Sequence, residues 1–141
     1  MSLTVYHSWR DLAPRPGDDP LAKLEGDLWE ILAEVEVGKD GKVAFDAGGT
    51  PIAFDAGRDV FTCGKHEAPR SGDGRPSISR PTIDLHIFVD RGSVELFADD
   101  GRVTISAAAT PRKGARPLSV ATTGPARIIR LDVHALKSAW R

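Results

Sequence analysis

Four groups of residues in this chain have types and spacings that could do chemistry. Asp90 and Glu95 are carboxylates on either side of a short turn, and two carboxylates can divide the work of acid and of base or nucleophile. Their simplest role is structural, with Asp90 accepting backbone hydrogen bonds in the turn and Glu95 facing solvent or pairing with Arg91 across a hairpin. Cys63 and His66 have ligand-like spacing, but no second pair follows. His7, His86 and His134 are scattered, whereas a metal needs three or four ligands. Ser93, His86 and Asp84 can be written as a nucleophilic triad, yet adjacent strand positions offer neither an elbow nor an oxyanion loop. Trp9, Trp29 and Trp140 could stack on sugar rings. Trp29 reads as core, while Trp9 and Trp140 fall in irregular termini, where they cover the sheet or meet a partner.

The elements that must position these residues are strands. Ile83, Leu85, Ile87 and Val89 recur at a spacing of two, placing Asp84, His86 and Asp90 on the opposite face. The alternation resumes at Val94 and Leu96, breaks at Asp99-Asp100-Gly101, and returns at Val103, Ile105 and Ala107. Gly92 and Gly101 stand where tight reversals call for positive φ. The pattern predicts a three-stranded antiparallel meander with one face in a core. Upstream, Trp29, Ile31, Ala33, Val35 and Val37 predict a long strand ended by Gly38-Lys39-Asp40-Gly41. Brief strands follow over 42–46, 51–55 and 60–63, at the turn rhythm of a sandwich or barrel. The Gly- and Pro-rich stretch from Gly64 to Pro81 reads as a long exposed loop. Residues 118–122 and 127–133 read as closing strands.

This predicts an all-β protein, an antiparallel β-sandwich of eight to twelve strands. An irregular lead-in covers residues 1–25, the sandwich 26–134, and a tail 135–141. Residues 17–46 carry nine acidic and three basic side chains, whereas 111–141 carry seven basic and one acidic. The opposite signs predict that the first and last strands, with Glu34 and Arg130, are neighbours in one sheet.

Composition is that of one ordinary globular domain: 141 residues, 40% hydrophobic and 28% charged. A net charge of -1 gives no reason to expect nucleic acid or an anionic membrane as partner. The N-terminus has neither the basic nor the apolar region of a signal peptide. A lone cysteine forms no internal disulfide. The expectation is a cytoplasmic chain, or a secreted one if it is cut from an extracellular enzyme.

Residues 85–98, LHIFVDRGSVELFA, followed by Asp100-Gly101-Arg102, resemble the signature of the C-terminal β-sandwich of glycoside hydrolase family 32. That family holds invertases, levanases, inulinases and other β-fructosidases. Its usual wording is close to LRIFVDRSSVEVF, so Asp90, Arg91, Ser93 and Glu95 are the matching signature residues, and Gly92 stands where Ser is usual. Leu28 to Val37 is similar to the strand that opens the domain, and the resemblance spans about Gly26 to Val133. It implies two six-stranded sheets in a jelly-roll-like sandwich.

In that family the catalytic carboxylates sit on an N-terminal five-bladed propeller, in motifs resembling WMNDPNG, EC and RDP. None is present here: Thr62 precedes Cys63, and Val60 follows Arg58-Asp59. The resemblance implies a non-catalytic accessory module with no cofactor or metal. Its partner would be a catalytic β-propeller or another copy of itself, and the parent would act on sucrose or a fructan. A stand-alone fructan-binding module, touching sugar through Trp9 or Trp140, and a structural association domain are the alternatives.

Overall fold

Most of the strands form because their apolar residues alternate, and all of them because a neighbouring strand completes their backbone hydrogen bonds. The computed structural model describes residues 2–14, 19–21, 24, 28–70, 82–90, 92–108 and 118–138. Among these are eleven strands: β1 Ser2–Leu12, β2 Leu28–Val37, β3 Lys42–Ala47, β4 Thr50–Asp55, β5 Val60–Cys63, β6 His66–Pro69, β7 Thr82–Val89, β8 Ser93–Ala98, β9 Val103–Ala108, β10 Leu118–Thr123 and β11 Ala126–Ser138. They make a six-stranded sheet, β1-β11-β2-β7-β8-β9, and a five-stranded sheet, β10-β3-β4-β5-β6, with every pairing antiparallel. The all-β sandwich is therefore as read from the sequence, with six and five strands among the described residues where six and six were implied.

The inward faces interdigitate in one core. The larger sheet supplies Ile31, Val35, Ile83, Leu85, Ile87 and Leu96, and the smaller supplies Val43, Phe45, Ile52, Phe54 and Phe61. Trp29 belongs to this core, being 3% exposed.

Three expectations need correction. The lead-in is not irregular throughout, because Ser2–Leu12 is a strand paired along β11 from Ser2 opposite Ser138 to Leu12 opposite Ile128. The segment after it is anchored as well. Thr122 donates both its backbone N–H and its hydroxyl to the Pro14 carbonyl, and the Asp19 carboxylate accepts the Leu21 and Val120 N–H groups. Leu21 itself is fully buried. The tail expected over 135–141 is strand through Ser138, as part of β11. The loop expected over 64–81 contains β6, an edge strand tolerant of its terminal Pro69; 71–81 lies outside the described residues.

β2 and β11 are neighbours, with Arg130 opposite Glu34, as the charge asymmetry predicts. The ion pair between the two strands is Arg127–Glu36 at 3.7 Å, however, and Arg127 also meets Asp11. Arg130 turns instead to Asp132. A register shift falls between Ile128 and Arg130 and leaves Arg130 opposite Glu34. Inward parity changes there, from Ile128 to Leu131, Val133 and Ala135, as a β-bulge requires, and Arg130 and Asp132 stay together on the outer face.

Candidate functional site

The outer face of the six-stranded sheet gathers most of the chemistry-bearing side chains. Cross-strand register lines up Tyr6, His134, Glu30, Phe88 and Glu95 in one row over β1, β11, β2, β7 and β8. The next row holds Ser8, Asp132, Leu32, His86 and Phe97. In the middle of these rows His86 Nε2 lies 2.7 Å from Glu30 Oε2, its ring centroid 4.3 Å from Phe88. Phe97 closes the cluster with its ring edge-on to Phe88 at 5.9 Å. Phe88 and Leu32 remain exposed, at 36% and 38%.

Two open recesses flank this cluster. One, of about 520 Å³, is lined by Leu28, Trp29, Glu30, Phe88, Val89, Asp90, Glu95 and His134. The Trp29 side chain points to the core face of β2, where its buried indole N–H has no acceptor among the described residues, a state that costs about 1–3 kcal/mol. The other, of about 510 Å³, brings Glu34, Asp84, Asp100 and Asp132 to its walls beside His86 and Phe97.

Asp84 and Asp132 are driven apart in acidity. Burial raises the Asp84 carboxyl, and the Asp100 and Asp99 charges add to this against the Asp100 N–H bond it accepts. For Asp132 burial also works upward, but hydrogen bonds from Ser8, Tyr6 and Arg130, with the Arg130 charge, outweigh it and hold the group below the usual carboxylate range. Two carboxylates of opposed acidity suggest acid and nucleophile. The contacts argue against that division. Asp132 Oδ1 accepts the Tyr6 hydroxyl at 3.0 Å and the Ser8 hydroxyl at 2.6 Å, and Oδ2 accepts Arg130 Nε at 2.6 Å. A nucleophile must present a lone pair to substrate, and both Asp132 oxygens are engaged, Oδ1 in holding β1 to β11 and Oδ2 by Arg130 on its own strand.

The residues singled out by type and spacing are distributed as follows. Asp90 and Glu95 share the first recess, and the Asp90 N–H closes its turn on the Ser93 carbonyl at 2.8 Å. Arg91 and Trp140 lie outside the described residues. The written triad is not assembled. His86 pairs with Glu30, and its neighbour on β8 is Phe97, four positions or ~13 Å along the strand from Ser93. Cys63 is buried, its thiol pushed up to about 11 by that burial, while His66 is exposed. Trp9 is half-buried against the core and stacked with His7 at 5.8 Å, which uses its ring for packing. Glu30 and Phe88 were missed and His134 was weighed only as a metal ligand; outward placement on alternating strands was the sequence signal for all three.

Gly92 corrects another expectation, since its φ is not positive and a Cβ there would meet nothing within 4 Å. Positive φ falls at Gly101, as expected, and also at Asp99 and Asp100 in the same β8–β9 turn. The Ser usual in the family at position 92 would fit. Gly92→Ser is expected to leave stability unchanged or raise it by about 0.5 kcal/mol through a less flexible unfolded chain, as urea denaturation would show.

The comparisons agree with this architecture. The family model described as glycosyl hydrolases family 32 C terminal matches residues 4–135. A levanase of Bacillus subtilis (strain 168) is 28% identical over 153 residues, covering 94% of this chain, and the chain spans 22% of that protein's length. An extracellular exo-inulinase of Aspergillus niger is 41% identical over 59 residues, 41% of this chain and 11% of its own length. The crystal structure of exo-inulinase from Aspergillus awamori superposes with a TM-score of 0.68 at 19% identity, over 96% of this chain and 29% of that one. With the family match running from β1 into β11 over the whole two-sheet sandwich, the chain belongs to the glycoside hydrolase family 32 C-terminal domain family.

Proposed function

We propose that this chain is the non-catalytic accessory sandwich of a β-fructosidase-like glycoside hydrolase, and that it stabilises a catalytic β-propeller or helps copies of the enzyme assemble. The observation that carries this reading is one of extent. The family match fills residues 4–135, yet the chain spans only 22% of the levanase it resembles, leaving most of such an enzyme for the chemistry. The side chains support it. The carboxylate of lowered pKa, Asp132, is consumed by structural hydrogen bonds, and the one of raised pKa, Asp84, accepts a turn N–H from Asp100. Since the relatives are named levanase and exo-inulinase, the parent substrate we propose is a fructan, with sucrose as the smaller member of the class.

The test is fructose release. Incubated alone with levan, inulin or sucrose, the chain should leave all three intact at concentrations where a family enzyme digests them. Release that survives further purification would return Asp84 to consideration as an acid.

A further inference from the structure

We propose that the outer face of β1, β11, β2 and β7 docks a second copy of this chain, face to face about a two-fold axis parallel to the strands. One row of side chains carries the inference. Register sets Arg10, Arg130, Glu34 and Asp84 side by side across these four strands, two cations followed by two carboxylates. Arg10 and Arg130 keep 54% and 56% of their side-chain surface exposed although both approach Asp132, and Glu34 is exposed as well. An axis over the line between β11 and β2 lays β11 on the other copy's β2, and β1 on its β7. Arg130 then faces Glu34 of the other copy and Arg10 faces its Asp84, and by symmetry each contact is made twice.

A second observation fits the same axis. The large apolar side chains left exposed among the described residues are Tyr6 at 53%, Leu32 at 38% and Phe88 at 36%, and all three stand on these four strands. The row Tyr6, His134, Glu30, Phe88 meets its own reverse, which sets Tyr6 on Phe88 and His134 beside Glu30. Other occupants match less of the face. A uniformly basic or uniformly acidic partner would meet half of the charged row as like charge. An axis across the strands would set arginine on arginine and glutamate on glutamate. Four strands and three rows outline roughly 400 Å² on each copy, the low end for a specific interface, so the pairing is reversible. The inference gives a surface to the assembly half of the role proposed above and rests on that reading only for its purpose; the pairing itself stands on register and charge.

The test is sedimentation equilibrium of the 141-residue chain. A reversible monomer–dimer equilibrium is expected at ~50 mM salt, weaker at ~500 mM because screening acts on exposed charges. Glu34→Lys and Arg130→Glu should each weaken dimerisation about 100-fold, about tenfold for each of two contacts turned repulsive. Thr104→Lys, on β9 outside the four strands, should not. Mixed in equal amounts, the Glu34→Lys and Arg130→Glu chains should form a heterodimer as tight as the parent dimer, since each reversed side chain then meets its opposite. Thermal unfolding of each variant checks that it is folded, and Arg10→Glu, read by the same loss of dimer, replaces Arg130→Glu if that chain does not fold. A parent chain that stays monomeric up to about 1 mM would overturn the proposal. So would folded variants that dimerise like the parent, or that fail to recover on mixing. A monomeric chain would leave propeller stabilisation standing, because that role needs no second copy.

Discussion

Asp99→Asn is expected to destabilise the sandwich by about 3 kcal/mol, because it takes from a nearly buried guanidinium the charge that Asp99 sets against it. Arg70 follows β6 at the edge of the five-stranded sheet, while Asp99 opens the β8–β9 turn of the six-stranded sheet, so their contact ties the two layers together. Arg70 Nε lies 2.7 Å from Asp99 Oδ2 and Nη2 3.4 Å from Oδ1, in a two-pronged pairing. Nη2 also donates to the Thr82 carbonyl at 3.3 Å, and the guanidinium sits 5.7 Å from the centre of the Phe54 ring. The two side chains are only 8% and 9% exposed, so water cannot replace the lost partner. Asparagine is the right probe because Asp99 holds φ at 51°, a conformation Asn tolerates and most residues do not. The double variant Arg70→Met/Asp99→Asn should regain part of the loss, since it removes the nearly buried charge as well. Urea denaturation of all three chains reads this directly, and a single-variant cost below about 1 kcal/mol would mean that the pair does not hold the layers together.

Asp132→Ala is expected to cost about 3 kcal/mol and to loosen β1 before the rest of the sheet, because a charged acceptor strengthens each hydrogen bond it receives. Tyr6 and Ser8 reach it from β1, and Arg10 approaches to 3.6 Å. No other described carboxylate fastens that strand to the sheet through two hydroxyl groups. The linkage to pH has a definite sign. The folded carboxyl is held below its ordinary value, so its stabilisation is complete above about pH 4, the unfolded value, and is lost as pH falls through the lower folded value. The variant should therefore lose less stability than the parent between about pH 4 and pH 2. Hydrogen exchange at β1 amides, compared at neutral pH, would show accelerated opening there while β7 and β8 amides stay protected.

How much of this could be read from sequence depended on whether the signal was local. β2, β7, β8 and β9 were legible because one face is wholly apolar and the other mainly polar, interrupted by Leu32, Phe88 and Phe97, an alternation that a half-buried strand explains. β1 was not, since Ser2–Leu12 is mixed in character and becomes a strand by pairing along β11, more than a hundred positions away. β6 hid among turn residues for a similar reason, being four residues long and held by β5 alone within its sheet. The bulge near Ile129 does leave a trace, a switch of apolar parity between Ile128 and Leu131, but a single switch is easily taken for a strand end.

The candidate site divides the same way. Asp90 and Glu95 could be found because they belong to a continuous signature. Glu30, Phe88 and His134 come from three strands, and only cross-strand register brings them into one row. Asp132 carried a faint signal, a lone acid in a basic closing segment between Leu131 and Val133. What the sequence lacked was the identity of its donors on β1.

The account turns on the claim that this sandwich supports catalysis performed elsewhere. The direct measurement is thermal unfolding and fructose release of a separately produced family 32 propeller, with and without the 141-residue chain. The account predicts that the chain alone releases nothing, and that adding it raises the propeller's unfolding midpoint by several degrees, with activity lasting longer at elevated temperature. Fructose released by the chain alone, or a panel of propellers including its own parent's that all melt unchanged beside it, would contradict the accessory role.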